Sequence, residues 1–276
     1  MLTKIEHDLK ILRKLHPLIF NITNYVTMDF MANALMAMGA SPIMSQCEEE
    51  TEELLRMAGA VNVNIGTLCK EFLERSLYVA KIASRMNRPV VLDPSGCGSS
   101  LVRTEAARKL LPYADIVVGN PSEIIALSGG EKMTLGVQST HTTAQAKESA
   151  RAVAKQYHCL VVVSRKESYI TDGLKEMDVG LGSPLIDYVT GMGGALSATV
   201  AAFSATNRNF FESATNAVIY FSLCGALANQ KVDAPASFRV AIIDELYRAD
   251  FERMKSSISE AQFKILFSET SSVAVS

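Results

Sequence analysis

The chain reads as an α/β protein built on a mostly parallel central sheet. Four short runs, "AVNVNIG", "PVVLDP", "DIVVG" and "CLVVVS", are largely apolar and rich in β-branched residues, which suits strands buried on both faces. Segments of helical spacing lie between them, and strands that alternate with helices form parallel sheets through crossover connections. No internal repeat or low-complexity linker divides the 276 residues. One domain over 1–265 is therefore expected, with a loose polar tail over 266–276 whose end reads "SSVAVS".

The elements follow in order. Leu2, Ile5, Leu9 and Leu12 recur at helical spacing, and Pro17 closes that segment. "LIFN" is a short buried strand ending at Asn21. "TMDFMANALMAMGASP" is a helix with Thr27 or Asp29 at its start and Gly39 as its stop. "SPIMS" is strand-like, and "EEETEELLRMAG" is a helix whose acidic first turn suits the positive end of its dipole. That acidic run is read as a solvated helix start rather than a binding patch. After "AVNVNIG" comes a helix over Lys70 to Arg85, and after "PVVLDP" a helix from Arg103 to Leu111. Ser122 caps a helix after "DIVVG", an amphipathic stretch runs from Thr142 to Tyr157, and "SYITDG" adds a hairpin-like edge beyond "CLVVVS". From Gly191 the chain is mostly helical, through Asn209–Asn229 and Phe238–Lys255.

Composition narrows the function. The 27 Lys and Arg balance 29 Asp and Glu for a net charge of -2, which argues against nucleic-acid or anionic-membrane partners. No stretch approaches the roughly 18 uncharged apolar residues of a spanning helix. The N-terminal "MLTKIEHDLKILRKLHP" mixes charge into its apolar positions, unlike a signal peptide, so a cytoplasmic protein is expected. Five scattered cysteines without C-x-x-C spacing read as reduced residues in or near the core. Four histidines form no H-x-x-x-H pair, which argues against zinc.

In open α/β sheets ligands gather beyond the carboxyl ends of the strands. Asn21, Asn24, Met44, Gly66, Asp93, Asn120 and Glu123 all fall there. Asp93 before Pro94 can simply end a strand, and Glu123 can simply sit in a helix's first turn. Together, as two carboxylates at neighbouring strand ends, they can also hold Mg²⁺ directly or through water. In "VTGMGGALSATVAAF" a glycine turn opens a helix of small residues, an arrangement whose unpaired amides and dipole favour anions.

The stretches "NITNYVTMDFMANALMAMGASPIMS", "NIGTL", "VVLDPSGCGSSLVRTE", "GNPSEI", "ITDG", "GSPL" and "VTGMGGALSATVAAF" resemble, in order, those of hydroxyethylthiazole kinases of the ribokinase-like superfamily. The resemblance runs from about Asn21 to Tyr247. It implies a ribokinase-like three-layer fold and ATP-dependent phosphorylation of the hydroxyl of 4-methyl-5-(2-hydroxyethyl)thiazole, a step of thiamine salvage. It further implies a homotrimer with thiazole pockets at subunit boundaries. By the same resemblance Asn21, Asn24, Met44, Gly66 and Gly191 lie on the substrate side, with Ile65 and Val26 beside Met44 in an apolar slot. Asp93 and Glu123 serve Mg²⁺. Asn120, Glu123, Ser164 and Val118 lie toward the nucleotide, and Gly191, Gly193 and Gly194 form the catalytic anion turn.

Four departures from the family's pattern fall mainly on the catalytic and nucleotide side. Gly194 stands where a thiol is usual, and Val118 stands where a cation precedes "GN". Ser164 and Arg165 replace a T-G pair, and "DAPASF" replaces a glycine-containing "G-P-G-S-F". Arg165 is expected in solvent, since arginine is usually exposed. Losing a general base costs about 10²–10⁴-fold in rate, so two readings follow: a kinase with weakened catalysis, or a thiazole-binding pseudokinase or regulatory protein.

Overall fold

The structure, a computed structural model, describes residues 1–129 and 141–256; the expected tail over 266–276 lies outside the described residues. The chain begins with α1 (Leu2–Leu15), β1 (Leu18–Ile22), α2 (Met28–Met38) and β2 (Ser41–Met44). It continues through α3 (Thr51–Met57), β3 (Ala58–Asn64), α4 (Lys70–Arg85), β4 (Val90–Asp93), α5 (Leu101–Leu110) and β5 (Ile116–Gly119). Next come α6 (Pro121–Leu127), α7 (Thr143–Tyr157), β6 (Leu160–Val163), β7 (Ser168–Thr171) and β8 (Glu176–Val179). The last described elements are α8 (Met192–Thr206), α9 (Phe210–Asn229), α10 (Pro235–Arg248) and α11 (Phe251–Ser256).

The eight strands form one sheet in the order β2-β1-β3-β4-β5-β6-β7-β8. Pairing is parallel from β2 through β6 and antiparallel in the β6-β7-β8 edge. The chain steps from β1 outward to β2, then returns to β3 on the other side of β1. That reversal opens a crevice above the carboxyl ends of β1 and β3, where open α/β sheets bind ligands.

Two buried layers cover the sheet. On one face Ile5, Phe30, Met31, Leu35, Ala198, Ala202 and Tyr220 pack with Ala60, Val91 and Val118. On the other, Leu55, Phe72, Val79, Ala107 and Val153 pack with Phe20, Val61, Leu92 and Val161. The inner strands therefore contribute alternate residues to both faces, while the edge strands β2 and β8 stay partly exposed. α8 is buried almost all round. Its Ala195, Ala198 and Ala202 let it lie close on the middle of the sheet, and this fixes where its glycine-rich start sits.

Several boundaries differ from the sequence expectation. α6 is capped by Asn120, not Ser122: the Asn120 side chain accepts from the Glu123 amide, and Pro121 takes the first helical position, where no N–H is needed. α5 begins two residues before Arg103 because Ser100 supplies its cap. The expected helix over Phe238–Lys255 is two helices, broken at Ala249 (φ 46°). There Arg13 donates to the carbonyls of Leu246 and Tyr247 at 3.1 and 2.6 Å, so α1 ends α10 from outside. The hairpin at "SYITDG" forms as expected, its turn held by Asp172 Oδ1 accepting from the amides of Leu174 and Lys175. Cys97, Cys159 and Cys224 are buried, whereas Cys47 and Cys69 are exposed. Among the described residues, α9 is the one helix long and apolar enough to cross a membrane, and 78% of that window is packed inside the protein.

Candidate active site

β1 and β3 each carry asparagines on the α2 and α8 side of the sheet, and these knit the crevice. Asn24, just past β1, donates from Nδ2 to Asn64 Oδ1 at 2.7 Å. Its own oxygen accepts from the Thr27 amide and hydroxyl at 3.0 and 2.9 Å, which fixes the start of α2. Asn64 then donates to Asp93 Oδ2 at 2.5 Å and accepts the Gly66 amide at 2.9 Å. One chain of hydrogen bonds thus links the ends of β1, β3 and β4. Such linked bonds polarise one another and hold a carboxylate in one orientation.

A step deeper, Asn21 is 1% exposed; it donates to Ile19 O at 2.8 Å and accepts from Asn62 Nδ2 at 3.2 Å. Both of its polar groups are engaged within the protein. Met44, half-buried, pairs with Asn21 across β1 and β2. A Cβ on Gly66 would stand 3.0 Å from both Asn24 Nδ2 and Asn64 Oδ1, so a larger residue would crowd that bond.

The second carboxylate approaches from α6. Glu123 Oε2 accepts the Asn120 amide and Oε1 accepts the Gly96 amide, each at 2.8 Å. It is both a helix cap and a clamp on the loop after β4. Burial pushes Asp93 up from the usual carboxylate range, against the hydrogen bonds from Asn64, Ser197 and Ser95. Burial raises Glu123 as well, and the neighbouring Asp93 charge adds to it. Arg103 partly offsets the Glu123 shift, but its guanidinium is occupied by the carbonyls of Ile65, Ser95 and Gly66.

This pair meets one condition for a divalent cation, because two crowded buried carboxylates gain by sharing positive charge. No group of three or more His, Cys, Asp and Glu gathers among the described residues. A cation here would therefore complete its shell from water and phosphate oxygens, the habit of Mg²⁺.

Above the crevice stands the glycine turn. Gly191 (φ 98°) precedes α8, and no side chain caps the helix there. The first amides of an α-helix have no intrahelical acceptor. A Cβ on Gly191 would press within 3.0–3.1 Å of Thr27 and Phe30, while one on Gly193 would meet nothing within 4 Å. A cleft of about 280 Å³ opens beside the turn, lined by Val26, Thr27, Phe30, Tyr188, Val189, Thr190, Pro235, Ala236 and Arg239.

The remaining sequence candidates fall elsewhere. Ser164 follows β6 and bonds through its hydroxyl to Gly119 O at 3.3 Å. Val118 is 1% exposed, in the core layer with Val91 and Val162. Ile65 is fully buried in the opposite layer, away from the apolar slot expected for it beside Val26. Arg165 is not free in solvent: it donates to His141 O at 2.9 Å and pairs with Asp187 at 3.6 Å, just before the glycine turn. The sequence assigns no place in the site to Asn62, Thr27, Arg103 or Ser197, although Thr27 and Arg103 mark helix starts in it. The pattern "NVN", two asparagines two apart on one strand face, was the available signal for Asn62 and Asn64.

A doubly wound sheet with one carboxylate at the end of β4, a second in the first turn of α6 and an uncapped glycine turn at the start of α8 defines a small-molecule kinase of ribokinase-like fold. A ribokinase-like superfamily protein from Enterococcus faecalis V583 shares that fold, with a TM-score of 0.57 at 15% identity over 87% of each chain. A model of the hydroxyethylthiazole kinase family matches residues 9–252. The chain belongs to the hydroxyethylthiazole kinase family. It is 44% identical over 257 residues to a hydroxyethylthiazole kinase of Chlamydia abortus, covering 92% of this chain and 98% of the relative. The hydroxyethylthiazole kinase structure from Pyrococcus horikoshii superposes with a TM-score of 0.81 at 34% identity, over 95% of this chain and 96% of the other.

Proposed function

We propose that the protein transfers the terminal phosphoryl group of ATP to the hydroxyl of 4-methyl-5-(2-hydroxyethyl)thiazole, in thiamine salvage, at a reduced rate. The observation that carries this reading is the uncapped start of α8 standing over the Asn24–Asn64–Asp93 chain. A phosphoryl group in flight spreads negative charge over its oxygens, and positioning with electrostatic stabilisation supplies most of the catalysis. The amides after Gly191 meet that charge. Asn24, Gly66 and Met44 bound the thiazole side, and Asn21 supports them from below through Asn62. Asp93 and Glu123 would hold Mg²⁺, which supplies charge neutralisation between the phosphates. Asn120 and Ser164 lie on the nucleotide side. Val118 adds a core wall there rather than a cation.

Gly194 offers no group to take the hydroxyl proton, which sets the reduced rate. The same absence, together with Val118, favours the second reading, a thiazole-binding pseudokinase or regulatory protein. Exposed Val26 and Tyr188 along the cleft support completion of the pocket by a neighbouring copy in a homotrimer, and cytoplasmic residence accords with the substrate. Incubation of the protein with ATP, the thiazole alcohol and Mg²⁺, with and without EDTA, tests the reading. Metal-dependent phosphothiazole is expected, and thiazole binding without product selects the pseudokinase.

A further inference from the structure

Gly194 differs from its two neighbours in the turn. Its φ is outside the left-handed region, so the backbone does not demand glycine there. A Cβ on it would point inward, 3.2 Å from Met31 Cε, 3.6 Å from Asn64 Nδ2 and 3.8 Å from Thr27 Oγ1. The space beneath position 194 is therefore filled, and what fills it is the end of the Met31 side chain. Met31 comes from α2, is fully buried, and has its sulfur 3.4 Å from Asn62 Nδ2. An unbranched thioether is the side chain best suited to reach into such an irregular gap.

We propose that Met31 and Gly194 form one volume-complementary pair that sets the depth of the thiazole-alcohol end of the site. Met31 is a positioning and specificity residue, acting through the room it takes beneath the glycine turn beside Thr27 and Asn64. This rests on the reading of the chain as a thiazole-alcohol kinase. A side chain restored at 194 meets Met31 Cε, the free end of a flexible side chain, and displaces it by a few tenths of an ångström, so the two positions draw on one space. A shortened residue at 31 deepens the site by about a methylene or more.

The test is a cycle of Gly194→Cys, Met31→Ala and the double variant, with Met31→Val as a milder substitute should Met31→Ala fail to fold. Melting temperature and kcat/KM are read for the hydroxyethyl alcohol and for its hydroxypropyl homologue. Met31→Ala is expected to melt lower than the parent, and the double variant higher than the sum of the two single shifts requires. Met31→Ala should shift the kcat/KM ratio toward the longer alcohol by about 10-fold, the scale on which a pocket reads one methylene. The double variant should return most of that shift. Additive melting shifts, or an unchanged ratio in an active Met31→Ala enzyme, overturn the proposal. If the parent neither binds nor phosphorylates the thiazole alcohol, the proposed function fails instead; the melting cycle then still decides whether the two positions share one space.

Discussion

Gly191 and Gly193 stand two residues apart in one turn, yet alanine is expected to affect them in opposite ways. Gly191 has φ 98°, and its Cβ would lie 3.0 Å from Thr27 Cβ and Cγ2 and 3.1 Å from Phe30 Cδ1. The left-handed conformation costs a residue with a Cβ about 1–2 kcal/mol. Crowding a packed site adds about 1–3 kcal/mol. Gly191→Ala should therefore lose about 2–5 kcal/mol, read by urea unfolding followed by fluorescence or circular dichroism. Gly193 has neither problem: its φ is ordinary and its Cβ would meet nothing within 4 Å. Gly193→Ala should hold or gain stability, by about 0.5–1 kcal/mol from helix propensity. Its methyl enters the open space above the helix start, where the phosphoryl group is placed. Turnover should accordingly fall at least tenfold in a protein as stable as the parent. Two variants that unfold alike would refute the geometry of the turn. A fully active Gly193→Ala would refute the placement of the phosphate.

Other expectations follow from the ion pairs. Glu245 is fully buried among Lys231, Arg248 and Arg253; Glu245→Gln should cost about 2 kcal/mol in urea unfolding, below the 3–5 of a sealed pair because the cations are partly exposed. Arg151 Nε donates to Glu176 at 2.5 Å and joins α7 to the edge strand β8, and this bond holds the Glu176 carboxyl below its ordinary range. A lowered folded value gives stability that is present above the unfolded value and lost as pH falls through the folded one. Acid titration of melting temperature should thus show a shallower fall below about pH 4.5 in Glu176→Gln than in the parent. Arg165 follows Ser164, which the proposed function puts on the nucleotide side, and Arg165→Ala releases Asp187 ahead of the glycine turn; it should raise the KM for ATP severalfold and leave that for the thiazole alcohol unchanged, and equal shifts in both would refute a nucleotide-side effect of the pair.

The sheet is legible because its strands are short apolar runs, and the strand-end rule brings Asn24, Gly66, Asp93 and Glu123 to one end of the sheet from the sequence alone. What the sequence could not supply was depth and direction. Asn21 and Asn24 look alike in the chain, yet Asn21 spends both polar groups inside the sheet while Asn24 builds the crevice. Ile65 sits at a strand end but faces the other layer, a consequence of the period-two alternation along β3. Arg165 reads as a surface arginine until its partners, Asp187 and the His141 carbonyl, are brought to it by the fold. The occupation of the space under Gly194 by Met31 joins residues more than 160 positions apart, and no local pattern carries it.

The most direct test of the central claim is a single-turnover assay with ATP, Mg²⁺ and 4-methyl-5-(2-hydroxyethyl)thiazole, the protein in excess over the thiazole. Stoichiometric phosphothiazole, formed slowly but abolished in Asp93→Asn, is the result predicted here. Thiazole bound in full with no phosphothiazole after prolonged incubation would contradict it.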